Sequence, residues 1–195
     1  MTALIVDLNA VLTLDNEQFY QLCRANPDLQ LERNVTGEIV IMSPTGGDTG
    51  NRNFELGADL AIWNRRTRLG YGFDSSTGFT LPNGATRAPD VAWVEKSRWE
   101  RLPPEQRRKF PAIAPDFVLE LVSPSDRLDA VQTKLKEYMA NGVRLGWVID
   151  PQTRRVEIYR SGQAVEVLTA PAQLLGETVL PGFILDVSYL WSQSG

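Results

Sequence analysis

Two acids stand apart by their surroundings. Asp90 follows Pro89 at the start of an expected strand, APDVAWV (88–94), and Glu120 interrupts a nearly continuous apolar run, DFVLELV (116–122). A carboxylate inside a buried strand is costly unless it is paired or binds a cation. Two of them on neighbouring strands repel unless positive charge lies between. Mg²⁺ and Mn²⁺ take oxygen ligands of this type. Singly, each acid has a plain explanation: a turn residue after proline for Asp90, and a salt bridge to an arginine such as Arg87 for Glu120. Together they point to an acidic metal-binding site.

A third group comes from segment 126–141, expected to be a helix with an apolar face of Leu128, Val131, Leu135, Tyr138 and Met139. At about 100° per residue, Lys134 falls at the edge of that face beside Tyr138, while Lys136 points further out towards solvent. The helix directly follows the Glu120 strand, so a lysine on its inner edge could fold back over the strand's end. An ammonium there could orient a water or stabilise charge developing on a phosphate. The plain alternative is a solvated lysine in an exposed KLKE run. A long helix expected from about Asn51 to Arg68 offers Glu55 as a further metal ligand, at the rim of a face made by Phe54, Ala58, Ala61, Ile62 and Leu69. Its ordinary reading is a helix-surface acid near Arg52.

What is missing narrows the chemistry. The sequence has no histidine and one cysteine, Cys23. Ser-His-Asp hydrolysis, Cys-His proteolysis and zinc sites rich in histidine or cysteine are excluded. Carboxylates, lysine, hydroxyls or a hard, oxygen-bound metal remain. Cys23, beside Phe19 and Leu22, reads as helix packing. The net charge is −4. Proteins that grip nucleic acid by neutralising phosphates are normally basic, so a local basic strip or bound cations would have to supply the attraction. Arg65–Arg68 and the cluster from Arg98 to Lys109 are the candidate strips, although such runs are usually solvated helix faces. Trp63, Trp93, Trp147 and Trp191 are expected in the core or a dimer contact rather than as base-stacking platforms.

These groups need elements to position them. Residues 13–26 read as a short helix capped by Thr13, and LQLERNVTGEIVIM as a hairpin turning at Asn34–Gly37. The loop SPTGGDTG (43–50) leads into the long helix. One or two short strands follow within 70–82, then the Asp90 strand, helical pieces over 97–110 and the Glu120 strand, whose continuous apolarity suits the centre of a sheet covered on both faces. SPSD (123–126) is expected to cap the next helix and Gly142 to stop it. RLGWVID (144–150) and RRVEIYR (154–160) form a further strand pair, and the tail 163–191 holds short strands and a final turn. The order predicts an α/β fold with a mixed sheet flanked by helices. At 195 residues, a single domain over 1–195 is expected. The N-terminus, MTALIVDLNAVL, lacks a basic leader and no run reaches the roughly 20 apolar residues of a membrane span, so a cytoplasmic protein is expected.

The segments APD (88–90), LELVSPSD (119–126), KLKEY (134–138) and GVRLGWVIDP (142–151) together resemble the Uma-type restriction endonucleases of the PD-(D/E)XK nuclease superfamily. MSPTGGDTGNRNFEL (42–56), RRVEIYRSG and VLPGFILD carry the same resemblance, which spans nearly the whole chain. It implies a restriction-endonuclease-like fold in which Asp90 and Glu120 bind Mg²⁺ (or Mn²⁺) with the backbone carbonyl of Leu121. The superfamily's lysine lies two residues after the second acid; here that position is Val122, and the resemblance makes Lys134 the substitute. Glu55 matches a first-helix acid of parts of the superfamily. Where many members carry a histidine before that helix, this chain has Asp48, Thr49 and Gly50. The resemblance further implies DNA as substrate and a homodimer.

Two readings stand. The first is a Mg²⁺-dependent endonuclease hydrolysing DNA phosphodiester bonds through Asp90, Glu120 and Lys134, with Glu55 in support. The second is a catalytically inactive nuclease-fold domain serving in nucleic-acid or protein binding, favoured by the acidic charge and by Val122.

Overall fold

A computed structural model describes residues 4–192; residues 1–3 and 193–195 of the expected domain, including the start of the N-terminal stretch, lie outside the described residues. The elements run β1 (Leu4–Val6), α1 (Asn16–Ala25), β2 (Gln30–Arg33), β3 (Ile39–Met42), α2 (Gly47–Thr67), β4 (Gly70–Asp74), β5 (Phe79–Thr80), β6 (Thr86–Arg87), β7 (Val91–Glu95), α3 (Lys96–Glu100), α4 (Pro104–Arg107), β8 (Phe117–Leu121), α5 (Leu128–Ala140), β9 (Leu145–Asp150), β10 (Arg155–Arg160), β11 (Glu166–Thr169), β12 (Gln173–Leu175), β13 (Ile184–Asp186) and α6 (Ser188–Ser192).

The central sheet has the order β11-β10-β9-β8-β7-β4. Only β8 and β9 pair in parallel within it, and α5 makes the crossover that a parallel pair requires. A second, antiparallel sheet, β1-β3-β2-β6-β5, is built on the expected hairpin, and β12 pairs with β13. Helices cover both faces of the central sheet, as the continuous apolarity of β8 demands. On one face, Leu56, Leu60 and Trp63 of α2 pack with Trp93, Phe117, Leu119 and Trp147, and Trp191 closes the cluster. On the other, Leu135 and Tyr138 of α5 pack on Ala92, Val94, Val118, Val122 and Val148. The four tryptophans are thus core residues.

Several local expectations are corrected. Helix α1 is capped by Asp15, whose side chain accepts from the Gln18 amide while Gln18 reaches back to the Asp15 amide; Thr13 lies outside it. Helix α2 begins at Gly47, inside the stretch expected to be a loop. Its buried side is Thr49, Arg52, Leu56, Leu60 and Trp63. The expected face is instead the outer one, with Phe54 72% and Ile62 45% exposed. Both stripes have helical spacing, and periodicity does not say which one the sheet will cover. The SPSD segment does not cap α5: Asp126 accepts from the Ser123 amide in a turn, and Arg127 stands at the N-cap without a side-chain capping bond. Gly142, at φ +100°, ends that helix as expected.

Candidate active site

The register between β7 and β8 explains why the two acids meet. Val91 lies opposite Leu119 and Ala92 opposite Val118. One step further along an antiparallel pair, Asp90 comes opposite Glu120, and side chains opposite one another emerge on the same face within roughly 5.5 Å at Cβ. Asp90 is fixed from two sides: the Leu121 amide donates to its Oδ2 at 2.8 Å and Asn53 Nδ2, from α2, donates to its Oδ1 at 3.2 Å. Pro89 comes opposite Leu121 in the same register and has no N–H to offer the Leu121 carbonyl.

Glu120 is 7% exposed. Its Oε1 lies 2.9 Å from Lys134 Nζ and accepts from the Tyr138 hydroxyl at 3.2 Å. Lys134 and Tyr138 are one helical turn apart on α5, so one edge of the helix delivers both donors. Burial pushes the Glu120 carboxyl up to about 8; the Asp90 and Glu32 charges add to the rise and Lys134 opposes it. Burial also raises Asp90, against the Leu121 hydrogen bond and the Lys134 charge. For Lys134 burial acts downward, but the charges of Glu120 and Glu32 hold its ammonium above the ordinary lysine value.

Of the residues singled out from sequence, Asp90, Glu120, Leu121 and Lys134 are brought together. Glu55 is not. It is exposed and lines a separate cleft with Asn51, Asp59, Asp186 and Tyr189. Asn53, two residues earlier and about 200° around the helix, is the α2 side chain that reaches Asp90. Lys136 is exposed, as expected. Arg87 does not pair with Glu120; it binds Glu32 at 3.0 Å and Glu137 at 2.6 Å. Val122 is buried among the side chains under α5, so the face next to Glu120 is filled by methyls while the ammonium arrives from the helix. The expected basic strips are spent differently. Arg65, Arg66 and Arg68 are exposed, whereas Arg98 pairs with Asp116 and Lys109 with Glu17. Cys23 is half-buried, and burial pushes its thiol up to about 11, in keeping with packing.

Glu32 was missed by sequence reasoning. It is 3% exposed on β2. Its Oε1 lies 2.8 Å from Lys134 Nζ and accepts from the Ala88 amide at 2.9 Å, and Oε2 takes Arg87. Burial alone would raise its carboxyl, but the charges of Lys134 and Arg87 hold it below the usual range. In an alternating hairpin strand, Glu32 looks like a solvent-facing acid, and its partners Lys134 and Arg87 lie far away in sequence, so no local signal marks it.

The donor set suits a hard divalent cation. Every side-chain atom it offers is oxygen, as Mg²⁺ or Mn²⁺ prefers. Two carboxyls raised by burial would each gain from a positive charge. Asn53 Oδ1 is buried beside Asp90 without a hydrogen-bond partner. Among the described residues no group of three or more acids or cysteines is placed to hold a metal. A cation here would therefore draw on two carboxylates and neutral oxygens, with the unpartnered Asn53 Oδ1 and the Leu121 carbonyl as candidates.

A mixed sheet with helices on both faces, carrying one acid just before β7 and the other in β8, is the arrangement of the restriction-endonuclease-like fold. The chain belongs to the Uma2 family, described as "Putative restriction endonuclease", whose model matches residues 16–188. A crystal structure of a putative nuclease belonging to DUF820 from Anabaena variabilis shares the fold, with a TM-score of 0.76 and 22% identity over 92% of this chain and 98% of that one. No curated protein matches the sequence. No helix among the described residues is long and apolar enough to cross a membrane.

Proposed function

We propose that the protein is a Mg²⁺- or Mn²⁺-dependent endonuclease that hydrolyses phosphodiester bonds in DNA. The observation that carries this reading is the meeting of Asp90 and Glu120 across β7 and β8 with the Lys134 ammonium 2.9 Å from Glu120, in a chain of the family described as "Putative restriction endonuclease".

Asp90 and Glu120 would hold the cation, with the Leu121 carbonyl beside them. A cation held there would supply Lewis acidity towards the phosphate and would make a water more acidic. The remaining steps belong to the chain. The Leu121 amide and Asn53 orient Asp90. The Tyr138 hydroxyl orients Glu120. The Lys134 ammonium sets a second positive charge beside the carboxylates, where it stabilises negative charge developing on a phosphate; in a site shielded from water such a charge acts more strongly than in bulk solvent. Glu55 has no part in this arrangement.

The test is cleavage of plasmid, linear, single-stranded and branched DNA with Mg²⁺ or Mn²⁺, run beside Asp90→Ala, Glu120→Ala and Lys134→Ala. Cleavage by the parent, lost in the first two variants and reduced about 10²-fold or more in the third, supports the reading. Absence of metal-dependent cleavage, together with absence of Mn²⁺ binding by calorimetry, overturns it in favour of a binding domain that keeps the nuclease fold.

A further inference from the structure

The ammonium of Lys134 has three N–H donors, and three acceptors surround it. Glu120 Oε1 is at 2.9 Å, Glu32 Oε1 at 2.8 Å and the Ala88 carbonyl at 3.2 Å. The lysine is therefore shared between two carboxylates that come from different sheets: Glu120 from the central sheet and Glu32 from the hairpin sheet. Glu32 also accepts from the Ala88 amide. Both polar atoms of the Ala88 residue are thus held, one by Glu32 and one by Lys134, two positions before Asp90. Arg87, clamped between Glu32 and Glu137, fixes the neighbouring residue.

We infer that Glu32 is a positioning residue for the cation site. It holds Lys134 away from exclusive pairing with Glu120 and so leaves the Glu120 carboxylate available to a divalent cation. This rests on the proposed metal site but assigns Glu32 a part that the two-acid pattern does not contain. With Glu32 neutral, Lys134 has one carboxylate left, and that carboxylate is a ligand. Lys134 then competes with the cation for Glu120, and the loss of negative charge near the site acts in the same direction. A glutamine at position 32 keeps an oxygen for the Ala88 amide, so the change isolates charge from shape.

The experiment is calorimetric titration of the full chain with MnCl₂, for the parent, Glu32→Gln, Lys134→Gln and the double variant, with Asp90→Ala and Glu120→Ala as controls. Loss of a partner that orients a metal ligand typically weakens affinity about 10- to 100-fold. Glu32→Gln is expected to weaken Mn²⁺ binding by at least about tenfold in the parent. In the Lys134→Gln background the same change should have an effect of about threefold or less, because the competing ammonium is gone. Unchanged Mn²⁺ affinity in Glu32→Gln overturns the inference, as does an equal loss in both backgrounds, which would mark a general effect on the fold or field. If the Asp90→Ala and Glu120→Ala controls bind Mn²⁺ as the parent does, the metal site itself fails, a result separable from failure of the Glu32 role. Circular dichroism checks folding. Should Glu32→Gln not fold, Glu32→Asp, which keeps the charge but shortens the reach to Lys134, replaces it with the same expected weakening. If neither folds, Glu32 is a folding residue and the inference falls.

Discussion

Glu120→Gln should make the metal-free protein more stable at neutral pH, by an amount that depends on pH in a defined way. The Glu120 carboxyl rises from an ordinary 4.5 to about 8 in the folded chain, chiefly through burial. The folded state therefore favours the neutral acid. As pH rises past 4.5 the unfolded chain releases this proton first, so stability that is fully present below about 4.5 is lost as pH climbs towards 8. From 4.5 to 7 is about 2.5 pH units at roughly 1.4 kcal/mol each, or about 3.5 kcal/mol, reduced to about 3 kcal/mol because the unfolded carboxyl is already half ionised at pH 4.5. Glutamine keeps an oxygen to accept from Tyr138 and Lys134 but cannot ionise, so it escapes that loss. Urea denaturation in EDTA at pH 4.5 and pH 7 gives both stabilities. The gap between variant and parent is expected to widen by about 3 kcal/mol in favour of glutamine between the two pH values. Addition of Mg²⁺ should then stabilise the parent, and not the variant, by mass action. A gap that stays constant between pH 4.5 and pH 7 refutes the argument, because it means that Glu120 is not held neutral by its surroundings.

Other outcomes follow from single contacts. Tyr138→Phe removes the hydroxyl that donates to Glu120 and should lower stability by about 1 kcal/mol in urea titration, the usual worth of one such bond. Gly70→Ala should cost about 3 kcal/mol by calorimetry, because the added methyl would overlap the Val94 carbonyl oxygen and the Trp93 ring, and neither can move without disturbing the pairing of β4 with β7. Cys23, with its thiol near 11, has only about a thousandth of its population as thiolate at pH 8. Alkylation by iodoacetamide should therefore be slow in the folded chain and speed up on addition of denaturant.

How far the sequence could be read depends on whether each signal was local. The apolar run around Glu120 identifies a central strand because only a strand covered on both faces is apolar at every position. The Asp90–Glu120 meeting is likewise legible, since a buried acid in such a run needs company. The edge position of Lys134 on α5 follows from helical spacing. What could not be read is which of two possible faces an element turns inward. Helix α2 carries two stripes, and the one with Phe54 and Ile62 is the more apolar in sequence yet stays outside, while the stripe with Arg52 and Thr49 goes in. That choice displaced Glu55 from the site and put Asn53 there. Glu32 is hidden for a different reason: its partners are contributed by α5 and by the chain around Arg87, far away in sequence.

Val122 gives the clearest test of how much of the site depends on geometry rather than on motif position. It lies two residues after Glu120 on the same side, one residue past β8, and its amide still donates to the Ile149 carbonyl, so the pairing with β9 continues to it. A lysine at 122 would start from the strand, one at 134 starts from the helix above it, and both would bring an ammonium to the same carboxylate. Val122→Lys alone should destabilise by about 2 kcal/mol or more, because it forces a second buried ammonium against α5 where Lys134 already serves Glu120. Lys134→Met alone should cost about 3 kcal/mol, since it leaves Glu120 and Glu32 without the charge between them. If position matters only through the ammonium it delivers, the two changes compensate. The double variant should then be more stable than the sum of the single losses by at least about 1 kcal/mol in urea titration. Additive losses would mean that the strand position cannot reach Glu120 in this chain, and that the lysine on α5 is required by how α5 and the hairpin sheet close over the site.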